Sequence, residues 1–499
     1  MARDPLLLEG AVEAPLGVTA INKETFLDGA EVSKHNSAES TWVVISGLVY
    51  DVTTFLENHP GGAEAITPHA GKDVTALFNL LHANDTLKKV LSQIKVVGPL
   101  DPKSVIEVVR ASEDEDELEE RRSALPPSEL VINLAEFATL AKELLGEDSR
   151  PWRYFSSWSD DGTSYDATAK SFSFLRFIPR VNIPVTTIDT STTFFGATVP
   201  IPIFMAPTGQ NRQGHPEGEF NHVRAACKTG IPQGVSNGSS IPISDILDKR
   251  NQISEEPGMV RAPVWWQIYI RRNRKDSEDQ IKEAVAHGAD AILITVDVAA
   301  MGKREADARV VSGGKAAKKD GGIGSQSFSL YDSDLTWADI AWVQTLAPGV
   351  PVLVKGIGAA ADVVLAKQHG AAGVILSNHG GRQLDGSPPP LATLIRLRRQ
   401  APALLKDPKF EVFIDGGVRR GTDVLKALCL GARGVGLGRP IIYAQLFQTC
   451  YGEEGILRAF EIVTEEINTG MRLLGARSIN ELRPEMVELI DGLVGQQMS

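Results

Sequence analysis

Cysteine is scarce in this chain of 499 residues, with only three in all. Cys227, Cys429 and Cys450 are odd in number and far apart, which argues for reduced thiols over a disulfide framework or a zinc knuckle. Long apolar runs are also missing: none approaches the roughly 20 residues of a membrane-spanning helix, so a soluble protein with no membrane partner is expected. Positive charge is in deficit, 51 Lys and Arg against 63 Asp and Glu, for a net charge of −12. That balance argues against a nucleic-acid partner, which needs a basic surface, and suits docking to a basic protein. The amino terminus lacks a secretory apolar core and the arginine-rich character of a presequence, with Asp4, Glu9, Glu13, Glu24 and Asp28 against Arg3 and Lys23. The last residues are not a peroxisomal tripeptide. The expected compartment is cytoplasmic, or the mitochondrial intermembrane space if a presequence has been removed.

What is present suggests two folded regions joined by a charged connector. Residues 1–31 read as a poorly ordered extension, 32–100 as a first domain, 101–127 as a linker and 128–499 as a second domain. In the first domain Thr41–Val52 forms two short β-branched runs about a Ser-Gly turn, which is hairpin chemistry. Phe55-Leu-Glu-Asn-His-Pro-Gly-Gly62 follows, then helical material around Ala63, Ala65 and Ile66, and a helical stretch from Asp73 to Leu81 ending at His82. His59 and His82 each lie at the edge of a helical segment with apolar neighbours, so they could face each other across a flat apolar ligand. His69 lies in the same segment as an alternative. The linker holds Glu113-Asp-Glu-Asp-Glu-Leu-Glu-Glu-Arg-Arg122 and then Ala124-Leu-Pro-Pro127, a solvated tether that would let the first domain move.

From Ser128 onward short apolar strands alternate with helical stretches: Pro202–Ala206, Ile231–Ser236, Val264–Tyr269, Ala291–Asp297, Pro351–Lys355, Gly373–Asn378, Glu411–Asp415 and Gly434–Gly438. Eight such units suggest an α/β (β/α)8 barrel, although a doubly wound sheet gives similar alternation. Gln267, Tyr269, Thr295, Asp297, Lys355, His379, Arg382 and Asp415 lie at or just past strand C-termini, the face on which barrels build active sites. In Ser377-Asn-His-Gly-Gly-Arg-Gln-Leu-Asp385 a base that titrates near neutrality sits three residues from a fork-shaped carboxylate binder. That pairing suits chemistry on an acid with a removable proton. Asp415-Gly-Gly-Val-Arg-Arg-Gly421 and Gly438-Arg439-Pro440, after the last two strands, offer backbone N–H groups and arginines to a phosphorylated cofactor. Val310–Asp334, rich in Gly, Lys and Ser, reads as a long mobile loop over the barrel mouth.

Two resemblances give these patterns a meaning. His59-Pro-Gly-Gly62, with the Val-Tyr-Asp-Val-Thr run before it and Ala70-Gly-Lys-Asp-Val-Thr75 after it, resembles the cytochrome b5 haem-binding module. Tyr154-Phe-Ser-Ser157, Ala206-Pro-Thr208, His215-Pro-Glu-Gly-Glu219, Gln267-Ile-Tyr269, Thr295-Val-Asp297, Gly302-Lys-Arg304-Glu, Val354-Lys355-Gly, Ser377–Asp385 and Asp415–Val424 resemble the FMN-dependent L-2-hydroxy acid oxidising enzymes. In this order the two modules resemble the flavocytochrome b2 family.

The resemblance implies a small α+β cytochrome b5-like domain before an FMN barrel, with haem b and FMN as cofactors. It makes His59 and His82 the axial ligands of the haem iron, leaving no open position for oxygen and suiting one-electron transport. Arg382 and Arg304 would hold the substrate carboxylate, with Tyr154 adding a hydrogen bond to it and Tyr269 one to the hydroxyl. His379 would be the general base, oriented by Asp297; residue types do not distinguish loss of the hydroxyl proton from loss of the α-proton. Lys355 would face the N1–C2=O edge of the flavin. Pro207, Thr208, Ser236, Gln267, Thr295, Asp415 and Gly417 would line the flavin, and Arg419, Gly438 and Arg439 its phosphate. The implied reaction is oxidation of an L-2-hydroxy acid of the lactate type, with cytochrome c as acceptor. An oxygen-using oxidase, or a non-catalytic haem-binding protein on a dead barrel, are the competing readings.

Some positions depart from that pattern. Gly209 and Gly238 stand where lactate and glycolate enzymes carry Ala and Leu or Trp, which should enlarge the pocket and favour a bulkier acid such as mandelate. Phe155 replaces a second tyrosine and Trp158 a glycine near the expected interface with the haem domain. The family suggests a homo-oligomer, a tetramer; the sequence ends at Ser499 without the long tail of the yeast-type enzyme, which puts that expectation in question.

Overall fold

The structure, a computed structural model, describes residues 26–446 and 451–490 apart from positions 60–62, 64–65, 82–86, 88–89, 92, 110–119, 122 and 312–329. His82, most of the acidic block and most of the long loop therefore lie outside the described residues. The chain divides into two compact units, with the break after Ala111.

The first unit is built on a small sheet of Asn36–Ser37 (β1), Ser40–Ile45 (β2), Leu48–Asp51 (β3), Lys72–Asp73 (β4) and Lys95–Pro99 (β5), in the order β1-β2-β3-β5 with β4 on β2. The hairpin turns at Ser46-Gly47, both at positive φ (52° and 76°), the geometry that follows strand twist. Alternation along β2 puts Val43 and Ile45 on one face with Tyr50, Phe55 and Val74, and Val44 on the other with Val32 and Val49. The unit reaches beyond the expected limits at both ends. Leu27 N donates to Pro99 O at 2.9 Å, and Val109 N donates to Asp73 O at 2.7 Å, so residues 101–109 belong to the unit and not to a linker. Asp73 is a strand residue whose Oδ1 accepts from Thr75 N (2.9 Å) at the start of the helix Thr75–Leu81.

The second unit contains Leu175–Phe177 (β6), the hairpin Thr192–Phe194 (β7) and Ala197–Val199 (β8), and then eight parallel strands. These are Ile203–Thr208 (β9), Gln233–Val235 (β10), Val264–Ile268 (β11), Ala291–Thr295 (β12), Val352–Ile357 (β13), Gly373–Leu376 (β14), Glu411–Asp415 (β15) and Gly434–Leu437 (β16). Pairing of β16 with β9, Val435 opposite Ile203, closes the barrel and rules out the doubly wound alternative. The strands are apolar along both faces because each is covered on both. On β12, Ala291 and Leu293 point inward to Phe204, Trp265, Leu353 and Phe413, while Ile292 and Ile294 face the helices. The β7–β8 hairpin plugs the N-terminal end: a Cβ on Gly434 would fall 2.4 Å from the Phe194 ring, so β16 needs glycine there. With that end filled, the opposite mouth is left for a site. Val487–Leu489 (β17) pairs with β6 and ties down the last described residues. Among the described residues no helix is long and apolar enough to cross a membrane.

Candidate active site

An open cavity of about 220 Å³ occupies the C-terminal mouth of the barrel. Every residue expected from sequence to touch FMN or substrate lines it except Asp297, which lies behind His379. Five strands stop short of their expected ends, β14 at Leu376 and β16 at Leu437 among them. β10 is only Gln233–Val235, β11 ends at Ile268 and β12 at Thr295, so Ser236, Tyr269 and Asp297 sit past the ladder, the first two lining the cavity and Asp297 behind His379.

His379 is held at φ +56°, a left-handed conformation rare for a residue with a Cβ, so its backbone is strained where the chemistry is expected. Its amide donates to Ser377 Oγ (3.1 Å), and Nδ1 lies 3.1 and 3.2 Å from the two carboxylate oxygens of Asp297. Burial lowers the pKa of the imidazole, Asp297 restores only part, and the nearby Lys355 and Arg304 lower it again. For Asp297 burial acts upward, but His379, Lys355 and Arg304 outweigh it and hold the carboxyl below its ordinary value. The resting pair is therefore a neutral imidazole beside a carboxylate. Since a carboxylate only accepts, the shared proton sits on Nδ1 and Nε2 is left with its lone pair.

Two arginines and two tyrosines surround the remaining space. Arg382 is anchored through Nη1, which donates to Tyr154 O (2.7 Å), Ser157 O (3.2 Å) and Ser157 Oγ (3.1 Å), and its guanidinium lies 5.3 Å over the Tyr154 ring. Burial, with Arg304 close by, pushes its pKa down to about 10, which still leaves it charged at neutral pH. Arg304, 9% exposed, donates to Arg382 O (3.3 Å) and to Gln383 Oε1 (3.2 Å). Burial raises the pKa of Tyr154, and burial with the Asp297 charge raises that of Tyr269, so both remain phenols able to donate.

The barrel wall beside these groups fits a flavin. Gln267 Oε1 accepts from Ser236 Oγ (3.2 Å) and Asn237 N (3.1 Å), yet among the described residues its buried Nε2 has no partner, and neither does buried Thr295 Oγ1 on the next strand. Orphaned polar atoms on a cavity wall call for a ligand with matching edges. Lys355, 5% exposed, pairs with Asp415 Oδ2 at 3.2 Å and donates to Ser377 Oγ at 3.1 Å, which sets its ammonium between β13, β14 and β15. Past the end of β16, Gly438 lines the cavity, and a Cβ there would meet only Ala206 and Thr208, at 3.8 and 4.0 Å. Gly417 has another reason to be glycine: its φ is +78° and a Cβ would lie 2.2 Å from Thr168 O. Arg439 serves mainly as a clasp, its Nε, Nη1 and Nη2 donating to Phe155 O, Gly380 O and Ser157 O at 2.9, 2.9 and 2.7 Å.

The sequence family described as FMN-dependent dehydrogenase matches residues 146–489. The chain belongs to that family. A second family, the cytochrome b5-like heme/steroid binding domain, matches residues 28–101. This FMN-dependent dehydrogenase is 39% identical over 493 residues to an L-lactate dehydrogenase (cytochrome) of Saccharomyces cerevisiae, covering 94% of this chain and 80% of the relative. Among solved structures, a substituted flavocytochrome b2 with benzoylformate aligns at TM-score 0.66 and 35% identity, over 76% of this chain and 92% of that one. A substituted mandelate oxidase with (S)-mandelic acid aligns at TM-score 0.62 and 31% identity, over 73% and 100%. The enzyme is an oxidoreductase acting on 2-hydroxy acids, with FMN in the barrel and haem in the first unit.

In the haem unit His59 is half-buried and meets the Phe55 ring edge-on at 5.7 Å. Ile66, Phe78, Leu87 and Leu91 pack only partly buried against the same core. A half-buried imidazole on the edge of this partly buried apolar core fits a flat apolar group.

Sequence reasoning missed Tyr331, which lines the cavity and stacks on Tyr269 at 4.8 Å. It also missed Met301 and Val298, which line the same cavity, and Thr168, whose Oγ1 accepts from Asn378 Nδ2 at 2.7 Å. None lies in a polar motif at a strand end, and Tyr331 returns only after positions 312–329, so no local signal marked them. Gly209 and Gly238 prove unequal. A Cβ on Gly209 would fall 2.6 Å from Gly238 O, so that glycine allows two loops to touch, whereas a Cβ on Gly238 meets only Ser236 Oγ, at 3.7 Å.

Proposed function

We propose that this enzyme oxidises an L-2-hydroxy acid of the lactate type to the 2-oxo acid and delivers the electrons, through haem, to cytochrome c. FMN supplies a two-electron acceptor and the haem a one-electron relay. The observation that carries the reading is the neutral His379 held against ionised Asp297 beside two arginines in one cavity.

The residue roles follow from charge and reach. Arg382, with Nη1 taken up by backbone carbonyls, presents its other N–H groups to a substrate carboxylate, and Arg304 adds a second positive charge. Tyr154 and Tyr269, kept protonated, donate to the carboxylate and the hydroxyl. His379 Nε2 takes the proton that leaves the carbinol centre, and Asp297 stabilises the imidazolium so formed. Lys355 places positive charge against the wall where reduction deposits negative charge. Gln267 and Thr295 direct their unpaired atoms to the flavin edge, and Arg419 adds positive charge at its phosphate. His59 would ligate the haem iron, with His82, outside the described residues, as the expected second ligand. The net charge of −12 favours encounter with basic cytochrome c.

Gly238 supports a second element, acceptance of a bulky side chain. The solved structures of a substituted flavocytochrome b2 with benzoylformate and a substituted mandelate oxidase with (S)-mandelic acid, both similar to this chain, support that element. The test is reduction of the purified enzyme by a panel of L-2-hydroxy acids, read as sharpening haem bands, followed by cytochrome c turnover. The proposal expects kcat/KM for L-mandelate at least equal to that for L-lactate. Haem left oxidised by every acid refutes the function, a clear lactate preference refutes the bulky-acid element, and peroxide in place of cytochrome c reduction reassigns the acceptor.

A further inference from the structure

We infer that Gln383 is a positioning residue that locks the loop carrying Asp297 and Arg304 to the loop carrying His379 and Arg382. Its side chain is 7% exposed and does not line the cavity. Nε2 donates to Asp297 O at 2.7 Å and Ala300 O at 2.9 Å, while Oε1 accepts from Gly302 N at 3.4 Å and Arg304 Nη2 at 3.2 Å. A carboxamide has two N–H donors and room for two acceptor contacts, so this one is fully used, and wholly on the neighbouring loop. The backbones confirm how tightly the loops meet. A Cβ on Gly302 would fall 2.4 Å from Arg382 O and 2.8 Å from Gln383 Cα, and Arg304 Nε reaches Arg382 O at 3.3 Å.

The two ends of the amide do different work. The donor end grips the main chain of Asp297 itself and so sets the distance at which its carboxylate meets His379. The acceptor end aims Arg304, one arm of the carboxylate clamp. An amide used only for stability would have no reason to choose these two residues, 86 and 79 positions away in the chain.

The inference rests on the function proposed above. Its test uses the full chain loaded with FMN and haem, with turnover expressed per bound flavin. Gln383→Leu removes all four bonds and is expected to lower kcat about 100-fold, as a displacement near 1 Å does, and to raise KM several-fold. Gln383→Glu keeps an acceptor for Gly302 and Arg304 but turns oxygen toward the two carbonyls; kcat should fall at least 10-fold with KM within about threefold. Either variant within threefold of wild type in both constants overturns the inference. So does a loss that tracks flavin content alone, including complete loss of flavin, because that assigns Gln383 to the fold only. Wild-type enzyme inactive on every 2-hydroxy acid would instead sink the function and leave the loop contact unaffected.

Discussion

Gly238→Leu should narrow the substrate range in a way that can be worked from the cavity wall. A Cβ at this position has a single neighbour, Ser236 Oγ at 3.7 Å, and the rest of a leucine side chain has only the cavity of about 220 Å³ to enter. It takes space that the ring of an aromatic acid would occupy and that the methyl group of lactate would not reach. Excluding about three ring carbons, at ~0.8 kcal/mol per buried carbon, removes ~2.4 kcal/mol of transition-state binding, roughly 60-fold in kcat/KM. The expected outcome is a roughly 60-fold fall in the ratio of kcat/KM for L-mandelate to that for L-lactate, with the lactate value within about threefold of wild type. Initial rates of cytochrome c reduction, normalised to flavin and haem, measure it. Gly209→Ala is the control. Its methyl group must displace Gly238 O, which now accepts from Gln210 N at 3.0 Å and Gln210 Nε2 at 3.3 Å. That variant should lose stability by about 1–3 kcal/mol and harm both acids alike. Equal loss with both acids in Gly238→Leu, or selectivity appearing only in Gly209→Ala, would refute the reasoning.

Asp297→Asn should lower kcat on the order of 100-fold or more, since the imidazolium loses its counter-charge. Asp297 raises the pKa of His379 in the present site, so the acidic limb of the kcat/KM profile should move to lower pH as the plateau drops; a limb that stays in place would remove Asp297 from the base. Glu219 supplies a stability prediction. It is 1% exposed, its Oε1 accepts from Ser240 N (2.8 Å) and Asn211 N (3.4 Å), and burial raises its pKa from 4.5 to about 7. Being raised in the fold, it contributes stability that is full below 4.5 and is lost as pH climbs through 7, about 3 kcal/mol in all. Glu219→Gln should flatten that slope, seen as a smaller difference between thermal flavin release at pH 5 and pH 8; an unchanged difference would show that Glu219 titrates normally.

The eight barrel strands were legible because burial on both faces leaves uninterrupted apolar runs, and each expected strand overlaps an observed one. His379, Arg382, the Asp415–Gly421 turn and Gly438-Arg439 could be singled out because short motifs carry them at strand ends, and all contribute to the one cavity. Their proximity was not legible. His379 and Asp297 lie 82 residues apart, and only closure of β16 onto β9 makes one cavity of loops drawn from all round the barrel. Glu219 stood in the His215–Glu219 motif without a role until the structure placed Ser240 N and Asn211 N against it. Gln383, inside the most recognisable motif, was assigned no role, because a hydrogen-bond partner on another loop leaves no trace in local pattern. The two glycines show the same limit. Sequence marks both as small, but whether a missing side chain opens space or lets two backbones touch depends on what lies across from it, and that is decided by packing in three dimensions.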